Sequence, residues 1–325
     1  MTSAYSNIIV GVALAALATL GWALNFIAPH VTGGYSIYDL LIIRFLIAGV
    51  LGLGILVLSH GRLRLLSRRQ QLTAAGLGIM GYLGYSACIA AGVIFGGPVL
   101  TPAFIGLVPV LLALLGNATR KTIQWRRLAL PLIFLTIGLL LSNLSSFHQS
   151  ATDNGSWLLG LLFSLAAVAL WLVFSVLNQK VLEKLPATAT GAWTGLMMLG
   201  AGLGTLGVLP LVQGLGLLKL PTLGLSFTLA GHLYAWALTI ALMSSVVGAW
   251  AWNAASRRLP MVLSGQLIAL ESLFATVLGL LFDCRWPTAM EATGLVAVLM
   301  GVVMAVHIIL VPRWGMMTKI VEDDA

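Results

Sequence analysis

Two stretches of this chain align without a gap, and their alignment decides the fold. "VPVLLALLGNATRKTIQWRRLALPLIFLTIGLLL" (108–141) lies against "ESLFATVLGLLFDCRWPTAMEATGLVAVLMGVVM" (271–304), which places Gly116 on Gly279. Glu271, the first residue of the second stretch, is a carboxylate inside an apolar run, and a charge at the centre of a bilayer is costly. The match predicts that the chain repeats itself and raises the question of what this acid does.

A second match comes earlier in each half. "GVALAALATLGWALNF" (11–26) aligns with "GLLFSLAAVALWLVFS" (160–175), so that Trp22 falls on Trp171. The matches recur in the same order, which predicts a first repeat over 1–148 and a second repeat over 149–325.

The amino-acid composition indicates that these repeats lie in a lipid bilayer. The 325 residues are 60% hydrophobic and 8% charged, with a mean hydropathy of +1.04, whereas soluble domains carry about 25% charged residues. A helix needs about 20 apolar residues to cross a bilayer. Ten segments qualify: 7–29, 37–59, 71–94, 97–117, 125–145, 156–180, 189–212, 228–254, 259–283 and 288–311. Five crossings per repeat force the second repeat to enter from the opposite side, so we predict an all-α membrane protein of two inverted five-helix repeats.

The basic residues orient the helices. Fourteen of the 17 lie in alternate loops or in the tail: Arg62, Arg64, Arg68, Arg69, Arg120, Lys121, Arg126, Arg127, Lys180, Lys184, Arg257, Arg258, Arg313 and Lys319. Positive loops stay in the cytoplasm, so both termini are predicted to be cytoplasmic in a bacterial inner membrane. The net charge of +8 therefore reports topology and indicates no nucleic-acid partner.

Sequence motifs of catalysis are absent. The chain has no phosphate-binding G-x-x-x-x-G-K-[ST] loop, no nucleophile elbow and only scattered histidines. We therefore expect no enzyme activity, no cofactor and no metal. The partners that remain are a small-molecule substrate and the lipid bilayer, with the chain acting as a monomer.

Three stretches carry a family resemblance: "GWALNFIAPH" (21–30), "IIRFLIAG" (42–49) and the ending from Glu271. They resemble motifs of the drug/metabolite transporter superfamily, and the resemblance implies ten helices in two EamA-like repeats. "GYLGYSACIAAGVIFGGPVLTP" (81–102) resembles the bacterial aromatic amino acid exporters of that superfamily. Ser272 departs from the proline usual after this glutamate, which predicts a straighter ninth helix. The resemblance implies export of amino acids, aromatic ones preferred.

The candidate substrate-binding or gating residues are aromatic or polar side chains placed within the apolar segments. They are Trp22, Asn25, Tyr82, Tyr85, Trp171, Trp250, Asn253, Gln266 and Glu271. For each, packing between helices is the alternative to substrate contact. For Glu271 the alternatives are a hydrogen-bonded tie to another helix and contact with a substrate amine or a proton.

Arg44 lies well inside the second predicted helix, away from the loops that carry the other basic residues. It is either a carboxylate anchor for the substrate or the partner of Asp39, five residues earlier. We expect helices 1, 3, 4, 6, 8 and 9 to line a central cavity of a secondary transporter that works by alternating access. The alternatives are an uncoupled facilitator or channel for small metabolites, and an exporter of drugs or quaternary cations with the same fold.

Overall fold

The computed structural model describes residues 2–121, 123–144 and 157–310. These residues form helices and turns without a strand, and ten helices are long and apolar enough to cross a membrane. Their spans are Ser6–Ala23, Ile37–Leu58, Arg68–Gly96, Leu100–Arg120, Trp125–Ser142, Trp157–Leu182, Ala187–Gly214, Phe227–Ser256, Met261–Phe282 and Ala289–Leu310. The all-α fold with ten membrane helices is confirmed. The predicted boundary between repeats, at 148/149, lies outside the described residues.

The first helix ends earlier than predicted. It stops at Ala23, and tight turns follow, in which the Asn25 amide donates to the Trp22 carbonyl at 2.9 Å. A short helix, Ala28–Val31, then begins with Pro29 in its first turn. Proline has no amide hydrogen to continue the first helix, so the polar Asn25 lies at a break.

Two other helices contain wide turns. The third helix is π-helical over Ile79–Gly84, and the eighth over Ala241–Gly248. π-helical turns are uncommon and are often found at functional sites. The ninth helix is interrupted at Ile268, between Met261–Leu267 and Ala269–Phe282. The ninth helix is therefore broken close to Glu271 even though Ser272 replaces the proline, in contrast to the straighter helix predicted from the sequence.

The third and fourth helices form a tight hairpin. Helical backbone continues from Tyr85 to Ile105, yet a Cβ on Gly92 would lie 2.5 Å from Thr101 Oγ1. Nine residues of straight helix would separate these positions by about 13.5 Å, so the chain must reverse between them. The Thr101 hydroxyl also bonds the Ser164 hydroxyl at 2.9 Å, which joins this hairpin to the sixth helix.

Helices of the first half pack against helices of the second half. The second helix contacts the seventh, the fifth contacts the tenth, and the first contacts the eighth and ninth. Glycines permit the closest of these contacts: a Cβ on Gly49 would lie 2.9 Å from Gly202 Cα. Small residues let helices approach in this way within lipid.

The fourth and ninth helices touch along only one half of their length. We call the side of the loops after helices 2, 4, 6 and 8 the basic face. Val108–Arg120 packs against Met261–Leu267 near that face. Toward the opposite face the two helices separate, and the cavities lie there.

Candidate functional site

Three cavities meet at Glu271, which lines all of them. The mouth cavity, about 240 Å³, lies between the fourth and ninth helices and ends at Asp283, Arg285 and Glu291. The aliphatic cavity, also about 240 Å³, is bounded by helices 2, 3 and 4. The aromatic cavity, about 40 Å³, is bounded by Trp22, Tyr82, Tyr85 and Trp171. Helix 2 was missing from the expected lining, although it carries Arg44.

Glu271 is half-buried in the first turn of Ala269–Phe282, where the positive end of the helix dipole favours a carboxylate. Among the residues that the structure describes, none forms a hydrogen bond or an ion pair with this carboxylate. The described residues therefore give no support to a hydrogen-bonded tie to another helix, and contact with a substrate amine or a proton stays a prediction. The acid instead faces a space that can hold a ligand.

Arg44 lies in the same space, lining both the aliphatic and the aromatic cavity. Its Nε donates to Ser245 Oγ at 3.2 Å and its Nη2 to Ser244 Oγ at 3.3 Å. Arginine has five N–H donors, and Nη1 makes no hydrogen bond within the described part of the chain. The guanidinium is thus positioned by neutral hydroxyls and keeps donors for a ligand.

The alternative pairing of Arg44 with Asp39 is wrong. Asp39 caps its own helix, accepting from the Ser36 amide at 2.8 Å. It also accepts from the amides of Lys219 and Leu220 at 3.1 Å. These backbone donors satisfy the carboxylate and leave Arg44 to the cavity.

The aromatic residues contact one another. Trp22 lies edge-on to Trp171 with ring centroids 5.2 Å apart, and Tyr85 lies 4.7 Å from Trp171. Trp252 lies 5.2 Å from Trp22 on the other side. Such pairs add stability beyond the burial of their area. The rings therefore form a wall, and within it Trp171 Nε1 is a buried donor that finds no acceptor among the described residues.

Asn25 and Tyr82 complete the polar lining. Asn25 Nδ2 donates to Ser244 Oγ at 3.2 Å, and its buried Oδ1 has no donor in the part of the chain that the structure describes. The Tyr82 hydroxyl points to Met197 Sδ at 3.9 Å, a weak contact. An unpaired buried acceptor is costly, so Asn25 Oδ1 is a second group that a ligand could satisfy.

Three candidates lie away from these cavities. Trp250 has 44% of its surface exposed on the outside of the bundle. Asn253 is fully buried, accepting from Asn178 and donating to Thr194, both at 2.8 Å. Gln266 donates to the Val262 carbonyl one turn earlier, at 3.0 Å. These positions favour lipid contact for Trp250 and helix packing for the other two residues.

Charged side chains surround the mouth. Arg285 donates to both carboxylate oxygens of Glu291, at 2.8 and 2.7 Å, and lies 3.5 Å from Asp283. His30 Nδ1 is 3.7 Å from Asp283. The hydrogen bonds to Glu291 raise the pKa of Arg285 above its ordinary value, so the mouth keeps a paired cation.

Sequence reasoning missed Ser244 and Ser245, which hold Arg44 and Asn25. Two adjacent hydroxyls in an apolar helix were the available signal. The described residues contain no group of three or more histidine, cysteine, aspartate or glutamate side chains that could hold a metal ion. The arrangement can bind and neutralise a small charged molecule.

No family model matches the chain. A solved crystal structure, described only as that of a protein, superposes with a TM-score of 0.71 at 17% identity, covering 91% of this chain and 97% of that one, which supports the fold. The Escherichia coli (strain K12) inner membrane protein YtfF is 30% identical over 307 residues, 92% of this chain and 95% of that protein. At this identity and coverage, the chain belongs to the family of YtfF.

Proposed function

We propose that this protein is a secondary transporter of the inner membrane that carries amino acids by alternating access. The observation that carries the proposal is the joint presence in the same cavities of two charged groups: the Glu271 carboxylate, which forms no hydrogen bond within the described residues, and the incompletely bonded Arg44 guanidinium. Charges at membrane depth are expensive unless they are paired. An amino acid brings both countercharges: its carboxylate for Arg44 and its ammonium for Glu271.

The neutral groups favour a zwitterion over a quaternary cation. No donor within the described residues reaches Asn25 Oδ1; a substrate ammonium has three N–H groups to offer, whereas a quaternary ammonium has none. A quaternary cation would also bring no anion to Arg44. These two differences favour an amino acid over the drug exporter considered from the sequence.

Contacts between the halves support inverted repeats. A Cβ on Gly138 would meet Val298 and the Gly294 carbonyl, while one on Gly301 would meet Leu135 and the Pro131 carbonyl. The numbering offset that places 108–141 on 271–304 converts Gly138 into Gly301, and it also converts Leu135 and Pro131 into Val298 and Gly294. Each glycine therefore contacts the equivalents of the residues that surround the other. The same shift carries the π-helical turn of the third helix onto that of the eighth.

Exchange in proteoliposomes tests the function. Purified protein should catalyse saturable counterflow of amino acids, and E271Q should lower it at least about tenfold, since a hydrogen bond to a charged group is worth about 1.5–3 kcal/mol. The matched control is E183Q, which changes a carboxylate in a loop on the basic face. Both variants should melt like the wild type. Full activity of E271Q would overturn the role of Glu271.

Counterflow also separates a carrier from a channel. A carrier exchanges labelled for unlabelled substrate against a gradient, whereas conductance without counterflow would identify a channel or facilitator. The resemblance to exporters supports outward transport, with both termini in the cytoplasm.

A further inference from the structure

We infer that the transported molecule places a large aliphatic side chain in the cavity bounded by helices 2, 3 and 4. This inference rests on the proposed function and names the class of amino acid that the site selects: leucine, isoleucine and similar side chains. The resemblance to exporters of aromatic amino acids leaves aromatic preference a prediction, and the geometry points elsewhere.

The space beside the aromatic residues is already filled. The aromatic cavity holds only about 40 Å³, because Trp171 is in contact with Trp22, Tyr85 and Phe174 at centroid distances of 4.7–5.2 Å. A substrate ring would have to separate rings that stabilise one another. These rings therefore bound the site and leave no room for the side chain of a substrate.

The open apolar space is lined by aliphatic side chains. The aliphatic cavity of about 240 Å³ is bounded by Ile37, Leu40, Leu41, Ile89, Val93 and Ile105, with Phe26 and Tyr85 as its rings. Its aliphatic lining offers a hydrocarbon group burial from water. This cavity adjoins the charged site, because Arg44, Asn25 and Glu271 also line it.

Binding of the two charged groups of the substrate limits the directions in which its side chain can lie. When the carboxylate meets Arg44 and the ammonium meets Glu271, the side chain can turn toward the aliphatic residues of helices 2 and 3 or toward the charged mouth. The mouth carries Asp283, Arg285 and Glu291, which a hydrocarbon avoids. Each methylene buried in the aliphatic cavity should raise affinity about fourfold.

Competition against labelled L-leucine counterflow tests the inference. L-leucine and L-isoleucine should compete best, ahead of L-phenylalanine and L-tryptophan, with L-alanine and glycine weakest. V93F puts a ring into the cavity and should reduce the leucine-to-alanine preference at least about tenfold, the loss of roughly two buried methylenes. I94F is the matched control, because the adjacent side chain is 48% exposed on the outside and does not bound the cavity.

A second variant works in the opposite direction. I105A enlarges the cavity and should weaken leucine while strengthening phenylalanine, so a failure of V93F to fold leaves this reciprocal change as the deciding result. Stronger competition by phenylalanine or tryptophan than by leucine, or an equal loss for leucine and alanine in V93F, would overturn the aliphatic assignment alone. Absence of counterflow for every amino acid would overturn the proposed function, and the assignment with it.

Discussion

Gly116 and Gly279 occupy equivalent places in the two aligned stretches but have opposite surroundings. A Cβ on Gly116 would lie 2.9 Å from the Val262 amide nitrogen, whereas one on Gly279 would meet nothing within 4 Å. Gly116 belongs to the closed half of the helix 4 and helix 9 pair, near the basic face, and Gly279 lines the mouth cavity. Equivalent sequence thus packs tightly at one end and stays open at the other, as expected of one state of an alternating-access carrier.

The prediction with the largest expected effect concerns the side of the membrane to which the separated ends of helices 4 and 9 open. Cys284 is exposed and follows the ninth helix, on the side opposite the basic face, whereas Cys88 is half-buried in the third helix. A membrane-impermeant maleimide added to right-side-out spheroplasts should label Cys284 without permeabilisation, and C284S should abolish that labelling. Labelling only after permeabilisation would place the open half in the cytoplasm and reverse the predicted topology.

The next largest effect is expected on the rate of substrate exchange when the mouth cavity is filled. G279W fills the open space, so closure of the mouth would have to overpack it. Overpacking costs about 1–3 kcal/mol, which corresponds to roughly a 5- to 150-fold loss of exchange. Counterflow should fall while the melting temperature stays unchanged. G207W is the matched control, since Gly207 is also free of neighbours within 4 Å but is exposed on the seventh helix. Normal exchange by G279W would show that the mouth does not close at this glycine.

A smaller effect is on stability. G116L places side-chain atoms against the backbone at Val262 and should destabilise the protein by about 1–3 kcal/mol through overpacking. Thermal unfolding in detergent should show a lower melting temperature for G116L than for G279L. Equal melting temperatures would contradict the difference in packing between the two glycines.

The smallest effect comes from an ion pair on the basic face. Arg120 Nη2 lies 2.6 Å from Glu183 Oε2, but the arginine side chain is about half exposed. Exposed ion pairs contribute about 0–1 kcal/mol, so R120Q should change the free energy of unfolding by no more than that. A larger loss would mean that this pair, rather than the packing at Gly116, keeps the basic face closed.

Much of the site was accessible from the sequence. The cavities are lined by six residues that the sequence singled out, namely Trp22, Asn25, Arg44, Tyr85, Trp171 and Glu271, and their contact with a substrate stays a prediction. Polar and ionisable side chains at membrane depth are costly in lipid, and tryptophan and tyrosine are enriched at the membrane interfaces, so both kinds stand out in the middle of an apolar segment. Trp250 instead lies on the outside of the bundle. The π-helical turn over Ala241–Gly248 changes which face the following residues present, and Trp252 is the tryptophan that contacts Trp22.

The sequence alone determined the ten helices and the predicted topology, because apolar length and loop charge are local properties that lipid and water read directly. Tertiary structure decided which groups are paired. Asp39 and Arg44 are five residues apart on one helix, yet Asp39 binds amides before the eighth helix and Arg44 binds serines within it. It also decided that Gly116 is packed and Gly279 is open, because that difference depends on the distance between two helices.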